Sequence, residues 1–271
     1  MYNLSLFDNE GVDSDFETKL IDETYLWKPI KHIIERLPEE NNEILPGVKW
    51  GHHGILYTPA YWKVQFHMSE FSTTNVSHRL CENIIDEIAF CLLGGYGMKS
   101  EIGDAAYKRL KENGALRQNV PYEEIYYLMS LPFNINGKKS HYRFHNQKSK
   151  YLHKLFLRKD LYEIPTDNDL RLRKWLLSVD GIGYKTASWI TRNWLKSDNV
   201  AILDIHIIRA GILMGIFDKK SDPINNYLEL ERKYIDICHA LNVPPSDLDA
   251  IIWYEMKNNS KLAISLINYL T

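Results

Sequence analysis

The chain has 271 residues, and its 33 basic and 35 acidic side chains give a formal net charge of −2 at pH 7. This balance excludes a globally basic nucleic-acid-binding protein, so any positive surface has to be local. Three scattered cysteines exclude a disulfide framework and a four-cysteine zinc site. The first residues lack the pattern of a secretory signal, and no apolar run is long enough to span a bilayer, so we expect a cytoplasmic protein without membrane contact.

The first 74 residues form an N-terminal extension whose structure the sequence leaves open. Up to residue 24 it carries seven carboxylates and one lysine, which does not suit contact with phosphates. Residues 25–37 fit a helix that Pro38 ends. The following aromatic-rich part is interrupted by glycines, and it fits short strands and helical pieces equally well. We therefore expect a small subdomain over 1–74, either all-α or α+β, and a helical domain over 75–271.

Three helices are predicted at the start of the second domain. Apolar residues at helical spacing indicate a helix over 74–93, with Thr74 or Asn75 as its N-cap. Two further helices are predicted over 100–112 and 122–130, and Pro121 opens the second of these. Helices joined by short loops predict an all-α body from residue 74 onwards.

Residues 138–159 supply the local positive charge that the composition as a whole lacks. This segment has eight lysines and arginines, three histidines and no acid. A basic run is often only a solvated surface. This run contains no acid and lies close in sequence to the glycine motif described below, and both facts favour a role in binding phosphates.

The most informative stretch is 170–217, which reads as helix, tight turn, helix, short link and helix. Gly181 and Gly183 break the chain two residues apart, and such a turn aligns backbone amides at the start of the next helix. Aligned amides at a helix N-terminus suit a phosphate. For the two glycines alone, an ordinary helix–helix turn remains the alternative.

On the predicted helix 184–195, three side chains share the face opposite the apolar stripe: Lys185, Trp189 and Arg192. Lys185 lies in the first turn, where the helix dipole disfavours a cation. The dipole therefore favours the neutral amine, which is the nucleophilic form of lysine.

Asp204 follows an apolar β-branched run and precedes the predicted helix 205–217. Its position indicates an N-cap, and the capped amides would keep the carboxylate ionised. A fixed, ionised carboxylate can stabilise a developing oxocarbenium charge. His206 is either a hydrogen-bond partner nearby or an ordinary helix histidine.

Two more helices are predicted towards the C-terminus. Residues 227–241 are amphipathic, and Pro244-Pro245-Ser246 indicates a new helix start with Ser246 as the cap. On that second helix Asp249 and Trp253 lie one turn apart on the same face.

The glycine turn with Lys185, followed by the run 200–206 with Asp204, resembles the helix-hairpin-helix signature of DNA base-excision glycosylases, the HhH-GPD superfamily. The resemblance covers about residues 75–258 and implies their mainly α fold. It implies Lys185 as the Schiff-base nucleophile and Asp204 as the catalytic carboxylate. Gly181, Gly183 and Tyr184 correspond to the hairpin that binds DNA phosphate, whose carbonyls would suit a monovalent cation.

Many relatives hold an iron–sulfur cluster through four cysteines near the C-terminus, where this chain has only Cys238. No such cluster can form, and we expect no cofactor. The chain is therefore most similar to the 8-oxoguanine DNA glycosylases of archaeal and bacterial type.

The segment 142–151 resembles the one that opens a helix in these glycosylases, after a loop that fills the space left by the extruded nucleotide. The match implies Phe144 as the wedge, with Arg143 and His145 facing the opposite base. Asn146 and Lys148 belong to the same contact with the opposite strand. A buried core position is the alternative for Phe144.

The Leu-Asp-x3-Trp-Tyr pattern at 248–254 resembles the C-terminal helix that contacts the flipped base in the archaeal-type enzymes. The match implies Trp253 as a stacking platform and Asp249 as a polar reader, while Trp189 would shape the same pocket. A plain core role is the alternative for Trp253.

The resemblance implies a monomeric enzyme that flips a modified base, 8-oxoguanine as the best candidate, out of double-stranded DNA. Excision would proceed through a lysine Schiff base, with AP lyase activity as well. One alternative keeps the fold and changes the substrate to a bulkier base, such as a modified pyrimidine in phage DNA. The other is a non-catalytic helix-hairpin-helix DNA-binding module.

Overall fold

The computed structural model describes residues 30–70, 79–95 and 97–270, which are mainly helical. The predicted mainly α class is confirmed. In chain order these ranges contain α1 (30–35), β1 (Glu43–Leu45), β2 (Val48–Lys49), α2 (Pro59–Glu70), α3 (Ile84–Leu93), α4 (Ser100–Glu112), α5 (Tyr122–Ser130), β3 (Phe133–Ile135), β4 (Lys138–Ser140), α6 (His145–Phe156), α7 (Asp169–Leu177), α8 (Tyr184–Leu195), α9 (Ile205–Met214), α10 (Tyr227–Leu241), α11 (Pro245–Asn258) and α12 (Ser260–Tyr269).

The chain divides into two compact units, residues 1–37 and 38–271. In the first unit the described residues are 30–37, and they include α1; residues 25–29 of the helix predicted over 25–37 lie outside the described part. In the second unit, Tyr61, Trp62 and Phe66 of α2 are buried in the same core as the C-terminal helices. This division differs from the predicted boundary at residue 74, because the aromatic side chains of α2 complete the core of the unit that follows.

The larger unit is built around two hydrophobic cores. The first core combines buried side chains of α3 to α7 with Ala187 and Ile190 on the inner face of α8. The second combines α2 and α9 to α12 with Ala201 and Leu203, which lie in the segment before α9. Lys185 is therefore carried by a helix of the first core, and Asp204 by a segment of the second. The border between the two cores is the place where the two can meet.

Several predicted helices have the observed bounds. Helices α4, α5, α8 and α10 begin and end at the predicted residues. Helix α9 ends at Met214, three residues earlier than predicted, because Gly215 takes a left-handed conformation with φ +82°. Helix α11 begins at Pro245 without a side-chain cap, so the predicted capping role of Ser246 is wrong.

Helix α3 begins ten residues later than the predicted helix 74–93, at Ile84. The Asn83 side chain accepts a hydrogen bond from the amide of Asp86 at 2.8 Å, which makes Asn83 the N-cap. The buried carboxylate of Glu87 accepts the amides of Leu80 and Cys81 at 2.9 and 2.8 Å, which holds these residues outside the helix. The predicted caps, Thr74 and Asn75, lie outside the described residues.

Strands β3 and β4 form an antiparallel hairpin with Ile135 opposite Lys138. Its two turn residues, Asn136 and Gly137, both have positive φ, at 52° and 76°. This is the geometry of a two-residue turn whose twist matches that of the flanking strands.

The three cysteines are free thiols, Cys91 in the first core, Cys238 in the second, and Cys81 half-buried. Burial raises the pKa of each thiol. No helix within the described ranges has the length and apolar character needed to cross a membrane. Those same ranges contain no cluster of three metal-ligating side chains.

Candidate active site

The turn between α7 and α8 contains two glycines that differ in their surroundings. Gly181 has φ +86°, and a Cβ atom there would lie 2.3 Å from the ring of Tyr151. Only glycine fits this position, for its conformation and for its close contact with α6. Gly183 has φ −99°, and a Cβ atom there would meet nothing within 4 Å. Gly183 therefore leaves open space beside the N-terminus of α8.

Helix α8 begins directly after this turn and has no side-chain cap. Gly183 is its N-cap residue, and the Gly183 carbonyl accepts the amide of Ala187 at 2.9 Å. The amides of residues 184–186 precede Ala187, the first donor of the helix ladder, so they have no acceptor within the helix and can bind an anion placed at Gly183.

Lys185 extends from the first turn of α8, and its side chain is exposed. Its ammonium lowers the pKa of His206 on α9 and of Asp249 on α11. Asp204 has the opposite effect on the same two groups. A lysine from the first core and a carboxylate from the second therefore act electrostatically on the same two side chains.

Asp204 is the N-cap of α9, as predicted. Its Oδ1 accepts the amides of His206 and Ile207 at 2.8 and 3.0 Å. Both bonds use one carboxylate oxygen, which leaves Oδ2 for another contact. The carboxylate is fixed by the backbone and still accessible, since Asp204 is only half-buried.

The segment before Asp204 is held by Tyr227, near the start of α10. The buried Tyr227 hydroxyl donates to the Ala201 carbonyl at 2.7 Å and accepts the Leu203 amide at 3.2 Å. The Tyr227 ring also stacks on Tyr184, the first residue of α8, with centroids 5.3 Å apart. One side chain of α10 therefore touches both the helix of Lys185 and the segment of Asp204.

Glu231, one turn further along α10, also joins α8 to the segment before Asp204, through its carboxylate. Its buried carboxylate accepts the Ala201 amide at 2.9 Å and the Ser188 hydroxyl at 3.4 Å. Both of its oxygens lie within 2.7 Å of the Arg173 guanidinium on α7. This buried ion pair is well hydrogen-bonded, as a buried charge has to be. The roles of Tyr227, Glu231 and Arg173 have no local signal in the sequence, because the partners of these residues lie on distant segments.

Asp249 on α11 is only 6% exposed, and its Oδ2 lies 3.4 Å from the Arg192 guanidinium. Burial raises its pKa to about 7; the Asp204 carboxylate acts in the same direction, while Arg192 and Lys185 act against it. Arg192 is itself buried and donates to the Ser246 carbonyl at 3.3 Å. The sequence predicts Arg192 on the face opposite the apolar stripe, and its burial there comes from contacts with Asp249 and Ser246 of α11.

His206 and Trp253 form the rest of the cluster. Burial lowers the pKa of His206, and the cationic Arg209, Lys185 and Lys257 add to this effect, so the ring is neutral near pH 7. Its buried Nδ1 atom has no hydrogen-bond partner among the described residues. Trp253 meets the His206 ring edge-on, with centroids 6.5 Å apart, and lies 4.4 Å from the Lys257 ammonium.

Both tryptophans of the predicted base pocket reach solvent. Trp253 is 42% exposed, which excludes the alternative of a plain core residue. Trp189, one turn after Lys185 on α8, is 37% exposed. Both therefore offer an accessible aromatic face beside Lys185 and His206.

The predicted wedge segment lies at the N-terminus of α6. Phe144 is the N-cap residue, is partly buried against the first core, and has the Arg143 guanidinium 5.2 Å from its ring centroid. The His145 ring nitrogen Nδ1 lies 3.1 Å from the Tyr142 carbonyl. Phe144 is thus neither a fully buried core residue nor a free side chain.

Asn146 and Lys148 lie on the first turns of the same helix. The Asn146 side chain accepts the Tyr122 hydroxyl at 3.2 Å. Lys148 is half-buried, and burial lowers its pKa. Because Tyr151 of this helix packs against Gly181, α6 lies directly beside the glycine turn.

The basic run 138–159 is partly neutralised by the fold. Lys154 pairs with Asp180 of the glycine turn at 2.5 Å, and Arg158 pairs with Asp160 at 2.7 Å. These two cations therefore support the turn and its surroundings. The remaining lysines and arginines of the run lie towards its N-terminal end, with Lys159 as the exception.

Comparison with known proteins defines the family. A family model described as 8-oxoguanine DNA glycosylase matches residues 64–243. An "8-oxoguanine DNA glycosylase/AP lyase" of Fusobacterium nucleatum is 33% identical over 126 residues, which cover 42% of this chain and 57% of that protein. A protein of the same name from Methanocaldococcus jannaschii is 31% identical over 185 residues, 64% of this chain and 80% of its own.

A solved structure is similar as well. It is the M. jannaschii 8-oxoguanine glycosylase/lyase in complex with a 15mer DNA that contains 8-oxoguanine, with a TM-score of 0.50 and 27% identity over 85% of this chain and 98% of that one. The fold is that of the helix-hairpin-helix glycosylases, as the resemblance predicted. The chain belongs to the 8-oxoguanine DNA glycosylase family.

Proposed function

We propose that this protein is an 8-oxoguanine DNA glycosylase with AP lyase activity that acts on double-stranded DNA. The observation that carries the proposal is that Tyr227 joins the first turn of α8, which bears Lys185, to the segment that ends at Asp204. Lys185 and Asp204 also act with opposite sign on the pKa of His206 and of Asp249. The family supports 8-oxoguanine as the base, and so does the similarity to a relative bound to 8-oxoguanine DNA.

Lys185 is the nucleophile of the proposed reaction. The neutral amine attacks C1′ of the flipped nucleotide, the bond from C1′ to the base breaks, and the base leaves with the bonding electrons and takes up a proton. The sugar ring then opens to a protonated Schiff base between Nζ and C1′. Loss of a proton from C2′ breaks the bond from C3′ to its phosphate oxygen, which nicks the strand.

Asp204 supplies charge and position rather than a covalent bond. Positive charge develops at C1′ as the base departs, and a fixed carboxylate beside it lowers the barrier. The two amides that bind Oδ1 hold the carboxylate in place before the reaction starts. No reorganisation of the protein is needed when the charge appears.

The glycine turn and α6 hold the DNA. The amides at Gly181, Gly183 and Tyr184 bind a phosphate, which the open space at Gly183 allows to approach closely. Phe144 fills the gap left by the flipped nucleotide, with Arg143 and His145 towards the opposite base. Asn146 and Lys148 complete the contact with that strand.

Trp253, Trp189 and Asp249 form the base pocket. The exposed ring of Trp253 stacks on the base, and Trp189 limits the size of the pocket. Asp249, with a pKa of about 7, holds a proton in part of the molecules at neutral pH. It can therefore donate a hydrogen bond to the base as well as accept one.

The protein is proposed to act as a monomer in the cytoplasm. The predicted monovalent cation is compatible with the hairpin, because the Val179 and Gly183 carbonyls each accept one backbone hydrogen bond and keep a second lone pair. No step of the reaction depends on that ion.

Borohydride trapping tests the proposal. Two end-labelled duplexes are used, one with 8-oxoguanine opposite cytosine and one with a preformed abasic site. We expect a covalent band on both, lost in Lys185→Ala because the Schiff base needs the amine. Affinity for DNA should stay within about threefold, because the phosphate contacts remain. Lys261→Ala removes an exposed lysine of α12 and serves as the control.

Equal trapping by Lys185→Ala and wild type would refute the assignment of the nucleophile. A band on the abasic duplex alone would keep the lysine chemistry and move the substrate to another base. No band on either duplex would favour the non-catalytic DNA-binding module.

A further inference from the structure

The β3–β4 hairpin lies just before the wedge segment and presents two adjacent cations. Lys138 and Lys139 are both exposed on β4, opposite Ile135 and Asn134 of β3. No role in the site described above involves this hairpin. Its lysines belong to the basic run that the sequence associates with phosphate binding.

The hairpin is a fixed platform rather than a loose loop. Its first residue, Phe133, is buried beneath the Arg109 guanidinium, which lies 3.6 Å from the ring centroid. Arg109 of α4 also donates to the carbonyls of Leu131 and Pro132 at 2.9 and 2.8 Å. The two lysines are therefore held at a constant distance from the body of the first core.

The charges of Lys138 and Lys139 are not neutralised within the part of the chain that the structure describes. Neither forms an ion pair there, and residues 131–159 contain no acid. Two lysines on the neighbouring helix α4 are paired by contrast: Lys108 with Asp104 at 2.8 Å, and Lys111 with Asp86 at 3.0 Å. A rigid pair of unpaired cations at the edge of a DNA-binding surface suits an anionic ligand.

We propose that Lys138 and Lys139 form a second phosphate-binding point on DNA, separate from the glycine turn; this inference rests on the proposed function. Neighbouring residues of a strand point to opposite faces, so a two-stranded ribbon in a groove presents one lysine to each bordering backbone. The two lysines then bind different phosphates and contribute independently.

The link to the wedge limits where these phosphates lie. Lys139 precedes Phe144 by five residues. Such a segment spans at most about 18 Å, which corresponds to roughly five base pairs of DNA at ~3.4 Å each. The contact is therefore within about half a turn of the flipped nucleotide.

The salt dependence of DNA binding tests the inference. Affinity is measured between about 50 and about 200 mM salt, on an undamaged duplex and on one with a tetrahydrofuran abasic analogue. For Lys138→Ala with Lys139→Ala we expect the slope of log K against log salt to fall by about 1.8, and by about 0.9 for each single variant. Affinity at low salt should fall on the order of tenfold. The single-turnover excision rate at saturating enzyme should not change.

Lys219→Ala with Lys220→Ala is the matched control, because these lysines are also adjacent and exposed but lie beside Asp218 and close to Asp222. This control should leave the slope unchanged. Equal slopes for the hairpin variant and wild type, or equal losses in both double variants, would overturn the inference. So would a loss that appears only on duplexes extending well beyond about five base pairs from the analogue on both sides.

The test of the hairpin contact does not depend on catalysis, because the measured quantity is the affinity for DNA. If wild-type protein excised no base while the hairpin variant still lost its slope, the proposed function would fail and the DNA contact would stand. If the hairpin variant kept both excision and the wild-type slope, the proposed function would stand and the hairpin contact would fail.

Discussion

At the scale of single residues, Asp204 combines two tasks that a pair of substitutions can separate. It caps α9 through Oδ1, and its charge acts on the reacting centre. Asp204→Asn keeps an oxygen acceptor at the N-cap and removes the charge. We expect stability to change by less than ~1 kcal/mol, while the single-turnover excision rate falls roughly 10²- to 10³-fold. Urea denaturation and single-turnover assays measure the two effects.

Asp204→Ala is the comparison, because it removes the cap and the charge together. It should lose about 1 to 2 kcal/mol of stability in addition to the rate. An Asn variant as active as wild type would show that the charge of Asp204 does not take part in the reaction.

The raised pKa of Asp249 predicts a pH-dependent stability. The unfolded chain releases this proton near the ordinary pKa of 3.8, and the folded protein does so only at about 7. The contribution of the group to stability is therefore fully present below about pH 4 and is lost as pH rises to about 7, by roughly 4 kcal/mol at most. Asp249→Asn cannot ionise and should lack this loss. Urea denaturation at several pH values, for wild type and variant, measures it.

Between about pH 4 and about pH 7, the free energy of unfolding of Asp249→Asn should change less with pH than that of wild type. Identical pH profiles for the two proteins would show that the carboxyl titrates normally. Because Arg192 loses a charged partner in the variant, the comparison concerns the slope with pH and not the absolute stability.

Residue roles could be predicted from sequence where they follow from local position. Asp204 was predicted as an N-cap from the residues on either side, and the structure shows that cap. The burial of Arg192 could not be predicted, because it depends on Asp249 and Ser246, which lie on a helix far along the chain. A helical wheel gives the face on which a charged side chain lies and cannot anticipate its buried partner.

At the scale of elements, the two glycines of the α7–α8 turn predict opposite variants. In Gly181→Ala the new methyl group clashes with Tyr151 and the positive φ is strained, so we expect a loss of about 2 to 4 kcal/mol. In Gly183→Ala the methyl group meets open space, and stability should change by less than ~1 kcal/mol. Affinity for an abasic-analogue duplex should nevertheless fall about tenfold, because the methyl group occupies the place of the phosphate.

Urea denaturation and fluorescence anisotropy distinguish the two variants. Wild-type affinity in Gly183→Ala would show that the phosphate does not approach this residue. A stable Gly181→Ala would mean that Tyr151 can move away, and the contact between α6 and the turn would then be weaker than the structure indicates.

Helix positions could be predicted where the signals are local. Helix α5 follows Pro121, and helix α8 follows Gly183, so their starts are visible in the sequence. The start of α3 was predicted ten residues too early, because a side chain inside the helix, Glu87, reaches back to the amides of Leu80 and Cys81. That interaction has no periodic signature.

At the scale of the whole molecule, the site depends on how the two cores are joined, and Tyr227 tests that junction. Tyr227→Phe leaves the Ala201 carbonyl and the Leu203 amide buried without their partner, at a cost of about 1 to 3 kcal/mol. We expect the excision rate to fall more than about tenfold, since displacements near 1 Å have large effects on catalysis. DNA affinity should stay within about twofold, because Tyr227 is buried and cannot contact DNA.

Tyr234→Phe is the control, since it removes another buried hydroxyl of α10, one that donates to the Pro245 carbonyl at 3.5 Å. It should lower stability slightly and leave excision unchanged. Equal rates for both variants would show that Tyr227 supports the fold without positioning Asp204.

The arrangement in two cores was beyond what the sequence could predict. The aromatic segment 54–66 fits strands and helices equally, and its contact with α11 decides for helix α2. For the same reason the division of the chain after residue 37 has no local signal in the sequence. Local patterns defined most helices, and long-range contacts defined which helices share a core.

The burial of the thiols has a consequence for the conditions under which the protein can work. Peroxides react with thiolates and far more slowly with thiols, and all three cysteines have a raised pKa that keeps them protonated. Oxidants that convert guanine to the proposed substrate therefore find no reactive sulfur on any of these residues. We therefore expect these three thiols to oxidise slowly under the conditions that produce 8-oxoguanine.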